Sequence, residues 1–508
     1  MMYRHYIFYF GLLLSSCAPT IRVSDRYPNN QEKTVDVIKE EGDSFKLIKR
    51  INYYQDGKIL SEVTFADKKM HGNFFQYHLN GQINVKGRYS YGEKIGKWTW
   101  RNVSGMIDSI HSYDRNLLNG WSKIFNNGEL IIRQKYLNGK LNGKFTEYYP
   151  GGVLKVSGSY LDDIPNEQWI WKLEDKSNSR LINYKQGIKS GDFKIWNSGE
   201  LTLSGAFEDD LQSGEWKWFR SGKKLDSLIT FSKGLRDGLY EVYHQNGEQA
   251  IAGKYLNANR EGRWEWWAED ASIDSIKTFS NGYLNGPLVI YSDNGEITRS
   301  ANFRLDKLDG VESIYYVSGQ LKEKTTYSAG EKMGNYEIWA PSGNMEEIGS
   351  YLSDQLHGQI KRWYSNGSPA SLYTYKDGLL NGLMQVYSLS NILKRESYYK
   401  KGDEIARFEY HDNERFKRIM TIDDGLTLYE RKWNYNGVEE TNELFISGTR
   451  TDSDYFISGN IKYECIYKGT KKHGIEWWFD DQRNPTKINL YDNGRMIVSH
   501  KIEYETNE

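Results

Sequence analysis

The sequence predicts an all-β protein, an elongated repeat of ~24-residue antiparallel hairpins joined into a continuous twisted sheet. Three observations predict it. An aromatic residue recurs at Phe65, Tyr89, Tyr113, Tyr136, Tyr160, Tyr184, Phe207, Phe231, Tyr255, Phe279, Phe303, Tyr327, Tyr351, Tyr375 and Tyr399, in steps of 24 residues with two steps of 23. A pivot glycine stands seven residues after most of them, from Gly72 and Gly96 to Gly358 and Gly382, with Asn166 and Ala406 where it is missing. Between them Asn-Gly recurs at Asn80-Gly81, Asn127-Gly128, Asn246-Gly247, Asn294-Gly295 and Asn366-Gly367. That dipeptide between alternating runs is a strong hairpin signal, because both residues tolerate positive φ.

The bulk numbers agree. A chain of 508 residues exceeds what one compact core supports, and a repeat avoids that limit because each unit touches only its neighbours. Tyr at 39 and Trp at 16 against Pro at 8 favour pleated surfaces. Lys plus Arg is 67 and Asp plus Glu is 68, so there is no overall basic footprint and nucleic acid is not an expected partner. Two cysteines, Cys17 and Cys465, cannot make a disulfide framework.

The elements follow in chain order. Residues 1–16 carry Arg4 and an apolar run from Tyr6 to Leu14, too short to span a bilayer and suited to a cleaved signal peptide. Leu14-Ser15-Ser16-Cys17 resembles the bacterial lipobox. The resemblance implies lipidation of Cys17 and a protein held in the cell envelope, on the outer membrane, by its acyl chains. Residues 17–43 are polar and read as a flexible tether. Residues 44–402 are the hairpin repeats. After the pivot, Trp98 and Trp100, and likewise Trp216 and Trp218, alternate with polar residues, which sets each pair on one face of a strand.

Between hairpins the connection reads Gly92, Asn116, Gly139, Asp163, Gly187, Asp210 and onward to Gly378, residues that accept left-handed backbone; Ala258 departs from this. The alternation suggests paired hairpins in two environments. Residues 403–457 lose the pattern and read as degenerate, irregular hairpins, and residues 458–508 as a terminal repeat and cap.

Stretches such as Tyr375-Lys-Asp-Gly-Leu-Leu-Asn-Gly382 and Phe279-Ser-Asn-Gly-Tyr-Leu-Asn-Gly286 resemble MORN repeats in their bacterial variant form, from about Ile51 to Tyr399 with a further unit near Ser458 to Gly494. The resemblance implies an elongated antiparallel sheet. Some relatives are antitoxins and others membrane-associated scaffolds, and neither role brings a residue set that transfers to this chain.

The sequence shows no catalytic constellation, so no enzyme, cofactor or metal is expected. His71, His357 and His473 each precede a pivot glycine and read as turn polar groups. Asp162-Asp163, Asp209-Asp210 and Asp423-Asp424 read as loop carboxylates. Asp452-Ser453-Asp454 lacks the glycine and glutamate of a calcium loop. The candidate binding aromatics are Trp98, Trp100, Trp216, Trp218, Trp264 and Trp266. They would stack a glycan or peptide if exposed, and otherwise bury one face of the sheet. A second ladder (Tyr148, Trp196, Tyr243, Trp267, Tyr291, Tyr315, Trp339, Trp363) stands in opposite strand phase, which one inward face cannot explain unless a bulge intervenes. The expected function is a non-catalytic, lipid-anchored scaffold that binds an envelope protein or polymer. A glycan- or peptidoglycan-binding protein and an antitoxin-like inhibitor of a partner protein are the alternatives.

Overall fold

The computed structural model describes residues 18–445 and 448–502. It divides into two compact units, Met1–Gly247 and Glu248–Glu508. The signal peptide and Cys17 lie outside the described residues.

In the first unit, consecutive strands run from Thr20–Arg26 to Leu235–Tyr243. Each is antiparallel to the next, as in Lys69–Tyr77 with Ile83–Ser90 and Glu93–Arg101 with Ile107–Asp114. The register matches the two sequence series. Gly72 stands opposite Tyr89, Gly96 opposite Tyr113, Gly143 opposite Tyr160 and Gly214 opposite Phe231. Each of these pivots has positive φ, and a Cβ at Gly72 or Gly143 would press on Thr64 or Lys135 of the preceding strand, so glycine answers to the backbone there.

The tether expected over 17–43 differs in the structure. Strands Thr20–Arg26 and Glu32–Glu41 pair with each other, and the second pairs with Ser44–Tyr53. Their polar composition hides a short alternation. Val35 is buried, and Asp36 accepts Arg50 Nε at 2.7 Å from the neighbouring strand.

The second unit holds two sheets. One runs from Gln249–Leu256 to Glu439–Leu444 in chain order; the other has five strands, from Thr449–Tyr455 to Arg495–Lys501. Residues 403–457, read from sequence as irregular, contain the strands Asp403–Tyr410, Phe416–Asp423 and Leu426–Trp433, each antiparallel to the next with one register shift per pair. They lack the pivot for a physical reason. Ala406, Phe408, Ile419 and Leu428 are fully buried and share one core with Ile466, Ile475, Trp477, Ile488 and Leu490 of the five-stranded sheet. The two sheets form a sandwich, and a packed face replaces the glycine-and-ring pattern. Cys465 is a free, buried thiol.

The turns are of two kinds. The connections between hairpins have two central residues in left-handed backbone, as at Asp162-Asp163 (φ 49° and 69°) and Asn257-Ala258 (φ 49° and 66°). At Asn127-Gly128 both residues have positive φ, whereas at Asn80-Gly81 only Gly81 does (φ 83°). There His78 N–H donates to Gln82 O and Gly81 N–H to His78 O, which makes a three-residue loop with glycine in the left-handed position. The tighter loops at Asn127-Gly128 and Ser198-Gly199 account for the two 23-residue steps.

Candidate binding surface

Glycine late in the second strand is a window for an indole. A Cβ on Gly158 would lie 2.6 Å from Trp169 Cε3 and nearer still to Cδ2, and Gly87, Gly205 and Gly253 stand in the same relation to Trp98, Trp216 and Trp264. Rings meet across the gap: Phe74 and Trp98 at 5.5 Å, Phe145 and Trp169 at 5.7 Å, Phe193 and Trp216 at 5.4 Å. The ladder skips this glycine, as between Ser157 and Ser159, and three of the four indoles take up a nearby carbonyl, while Trp98 Nε1 is buried without one. Trp169 Nε1 donates to Ser159 O at 3.0 Å, Trp216 to Ala206 O at 3.1 Å and Trp264 to Lys254 O at 3.2 Å.

This packing divides the six candidate tryptophans. Trp98, Trp216 and Trp264 are 1%, 2% and 1% exposed, so they have no face to offer a ligand. Trp100, Trp218 and Trp266 are half-buried, with Lys94 Nζ 5.8 Å from the Trp100 centroid and Lys277 Nζ 4.7 Å from that of Trp266. The second ladder sits at a recurring register shift, seen between Glu147 and Tyr148, Ile195 and Trp196, and Ile338 and Trp339.

The pivots before the buried tryptophans form their own class. Gly96, Gly214 and Gly262 have φ of 64°, 69° and 68°, against 100–122° at Gly72, Gly143, Gly238 and Gly286. The first value is ordinary left-handed backbone, open to other residues. One such residue is present: Glu167 (φ 63°) stands opposite Tyr184, so the true pivot of that repeat is Glu167 and not Asn166.

Polar groups clamp neighbouring turns together. The second residue of each connection donates its N–H to the preceding repeat, as Gly92 to Met70 O (2.7 Å) and Gly187 to Pro165 O (2.8 Å). Where that residue is Asp or Asn, its side chain adds a bond: Asp163 Oδ1 accepts Leu141 N–H at 2.6 Å, and Asp210 Oδ1 accepts Lys189 N–H at 2.9 Å. The residue before the pivot serves the same edge. His71 Nδ1 accepts Tyr91 N–H at 3.4 Å and His473 Nδ1 accepts Asn493 N–H at 3.2 Å, while His357 Nδ1 lies 3.6 Å from Asp377. At the opposite edge, Tyr54, Tyr316 and Tyr364 hydroxyls donate at 2.8 Å to carbonyls of Tyr77, Trp339 and Tyr387 in the following repeats. Asp163, Asp210, His71 and His357 thus serve structure in separate repeats, whereas His473 lies 3.7 Å from both Asp423 and Asp492.

One groove breaks the regular edge. The loop Leu173 to Asn178 is closed by Leu173 N–H to Asn178 O at 3.0 Å, and its successor is the short Ser198-Gly199 turn. A long turn beside a short one leaves an open groove of about 410 Å³, walled by Tyr149, Lys155, Trp171, Arg180 and Trp196 among others. Sequence reasoning placed Trp196 in the second ladder but missed the groove; the signal was the step from a six-residue loop to a two-residue one. Among the described residues no group of three or more His, Cys, Asp or Glu side chains could hold a metal ion.

A family model described as MORN repeat variant matches residues 48–67, 70–91, 141–162, 308–329 and 356–377. No curated protein matches the chain. Among solved structures, "Crystal Structure of TcdB2-TccC3" aligns over 93% of this chain at 11% identity and a TM-score of 0.14, and this chain spans 31% of its length. "Crystal structure of the eukaryotic initiation factor" aligns over 75% of this chain and 94% of its own, at 12% identity and a TM-score of 0.12. Overlays at these scores carry no argument about fold or role.

Proposed function

Because five stretches of this chain are MORN repeat variants, we propose that it is a non-catalytic binding scaffold of the bacterial envelope, anchored by lipid on Cys17 and presenting its repeats to a protein or polymer. The observation that carries the reading is the use of polar chemistry. Carboxylates and imidazoles that could do acid–base work hold structure instead: Asp163 and His71 clamp turns, and Glu396 pairs with His500 in the C-terminal sandwich. Side chains spread over successive repeats suit the recognition of something long. The lipobox-like Leu14-Ser15-Ser16-Cys17 supports the anchor, and a membrane-tethered scaffold needs no cofactor.

Metabolic labelling with a fatty acid tests the anchor: the wild type takes label and Cys17→Ala does not. Equal labelling refutes lipidation. Crosslinking in intact cells tests the scaffold role, which predicts a discrete partner crosslinked through residues of the repeats.

A further inference from the structure

The groove between Tyr149 and Asn197 has three cations on its wall, Lys155, Lys172 and Arg180, and no carboxylate, in a chain of net charge -1. Lys155 is paired with Glu147 at 2.7 Å. Arg180 makes no ion pair among the described residues. Its guanidinium lies over the Trp171 ring, 4.7 Å from the centroid, which holds the charge in place by cation–π attraction. A fixed guanidinium is suited to a carboxylate or phosphate, which it can hold through two parallel hydrogen bonds.

The backbone beneath the groove is closed to an extended peptide. Ser179–Lys185 is hydrogen-bonded on one side to Ile164–Lys172 and on the other to Ile188–Asn197. No row of N–H and C=O groups is left for strand addition, so recognition falls to side chains. Tyr149 and Trp196 supply ring surface. The amides of Asn178 and Asn197 and the Ser179 hydroxyl supply donors and acceptors. Asn178 is itself fixed, since its Oδ1 accepts Ser198 N–H at 2.8 Å, which leaves its NH₂ free to orient towards a ligand hydroxyl.

We propose that this groove binds an acidic sugar residue of a glycan chain, its anionic group on Arg180 and its ring against Trp196. The inference rests on the scaffold reading and gives it a polymer class. A volume of about 410 Å³ lies within the usual range for small-ligand sites.

Isothermal titration of the full chain tests this with trigalacturonate, sialyllactose and mannose 6-phosphate, against neutral trigalactose and a hexaglutamate peptide. At least one acidic sugar should bind saturably. Arg180→Gln should weaken that binding about tenfold, Arg180→Lys should restore part of it, and Trp196→Leu should weaken it with the thermal melt unchanged. The proposal is overturned if no acidic sugar binds, if hexaglutamate or trigalactose binds equally well, or if Arg180→Gln binds as the wild type does. A protein that captures a partner in cells yet ignores every acidic sugar loses this site and keeps its scaffold role.

Discussion

Gly158 lies beneath the indole of Trp169, so close that a Cβ would fall 2.6 Å from Cε3. The two residues act as one packing unit, since the indole of a single-layer sheet has no second layer to cover it and must lie on bare backbone. Gly158→Ala should destabilise the first unit by about 1–3 kcal/mol. Trp169→Leu introduced alongside it should recover part of that loss. Urea unfolding of the two single variants and the double variant measures the coupling, and additive effects would contradict the packing unit.

Glu167 holds left-handed backbone with φ 63°, where Gly96, Gly214 and Gly262 take nearly the same angle at the same place in their repeats. Glu167→Gly should raise stability by about 1 kcal/mol, whereas Gly143→Ala, at φ 103° and tight against Lys135, should lower it by more. Thermal melts of the two variants give opposite shifts on this account.

How much of this was legible in the sequence depends on what each residue had to satisfy. The repeat was legible because ring and pivot meet across one strand pair, as Gly143 and Tyr160 do, which fixes their spacing. The Asn-Gly turns were legible as hairpins but not in type. Asn80 is outside the left-handed region because its amide has other work: Oδ1 accepts Gln82 N–H and Nδ2 donates to Val103 O in the next repeat. The strands over 403–457 were hidden because Ala406 and Phe408 answer to a second sheet, a long-range partner that no local pattern reports. The half-buried and buried members of each tryptophan pair look alike in sequence, since only the glycine window separates them.

Tyr316→Phe removes the hydroxyl that donates to Trp339 O at 2.8 Å. The loss should be about 1 kcal/mol, and it should be local. Hydrogen exchange should speed up in the turns on either side of the lost bond and stay unchanged several repeats away, as expected when units interact only with neighbours.

Acid should loosen the C-terminal sandwich. Burial pushes the Glu396 carboxyl up, but hydrogen bonds with His500, Tyr398 and Gln385 outweigh it and hold the group below the usual carboxylate range. Burial also opposes Glu404, where Arg407, Ser397 and Arg395 prevail in the same direction. These groups bind protons less readily folded than unfolded. Their stabilisation is therefore present above the ordinary carboxylate value of about 4.3 and is lost as pH falls through the lower folded values. Urea midpoints of the second unit should drop from pH 5 to pH 3.

Glu464 has the opposite sign. Burial pushes its carboxyl up, and the contact with Arg431 at 4.0 Å leaves Oε2 buried without a hydrogen bond. A raised carboxyl favours the folded state below its unfolded value and costs stability as pH rises. Glu464→Gln should therefore stabilise the second unit at pH 7 by about 1 kcal/mol, with the gain shrinking at pH 4.

The most direct test of the scaffold reading is photo-crosslinking in intact cells, with a crosslinkable residue placed in turn at one exposed position of every hairpin, including Leu137, Leu211, Leu305 and Leu379. The account predicts one partner captured from a contiguous series of repeats, and loss of that capture in Cys17→Ala cells where the anchor is absent. Capture confined to a single repeat, or none at any position, would contradict it.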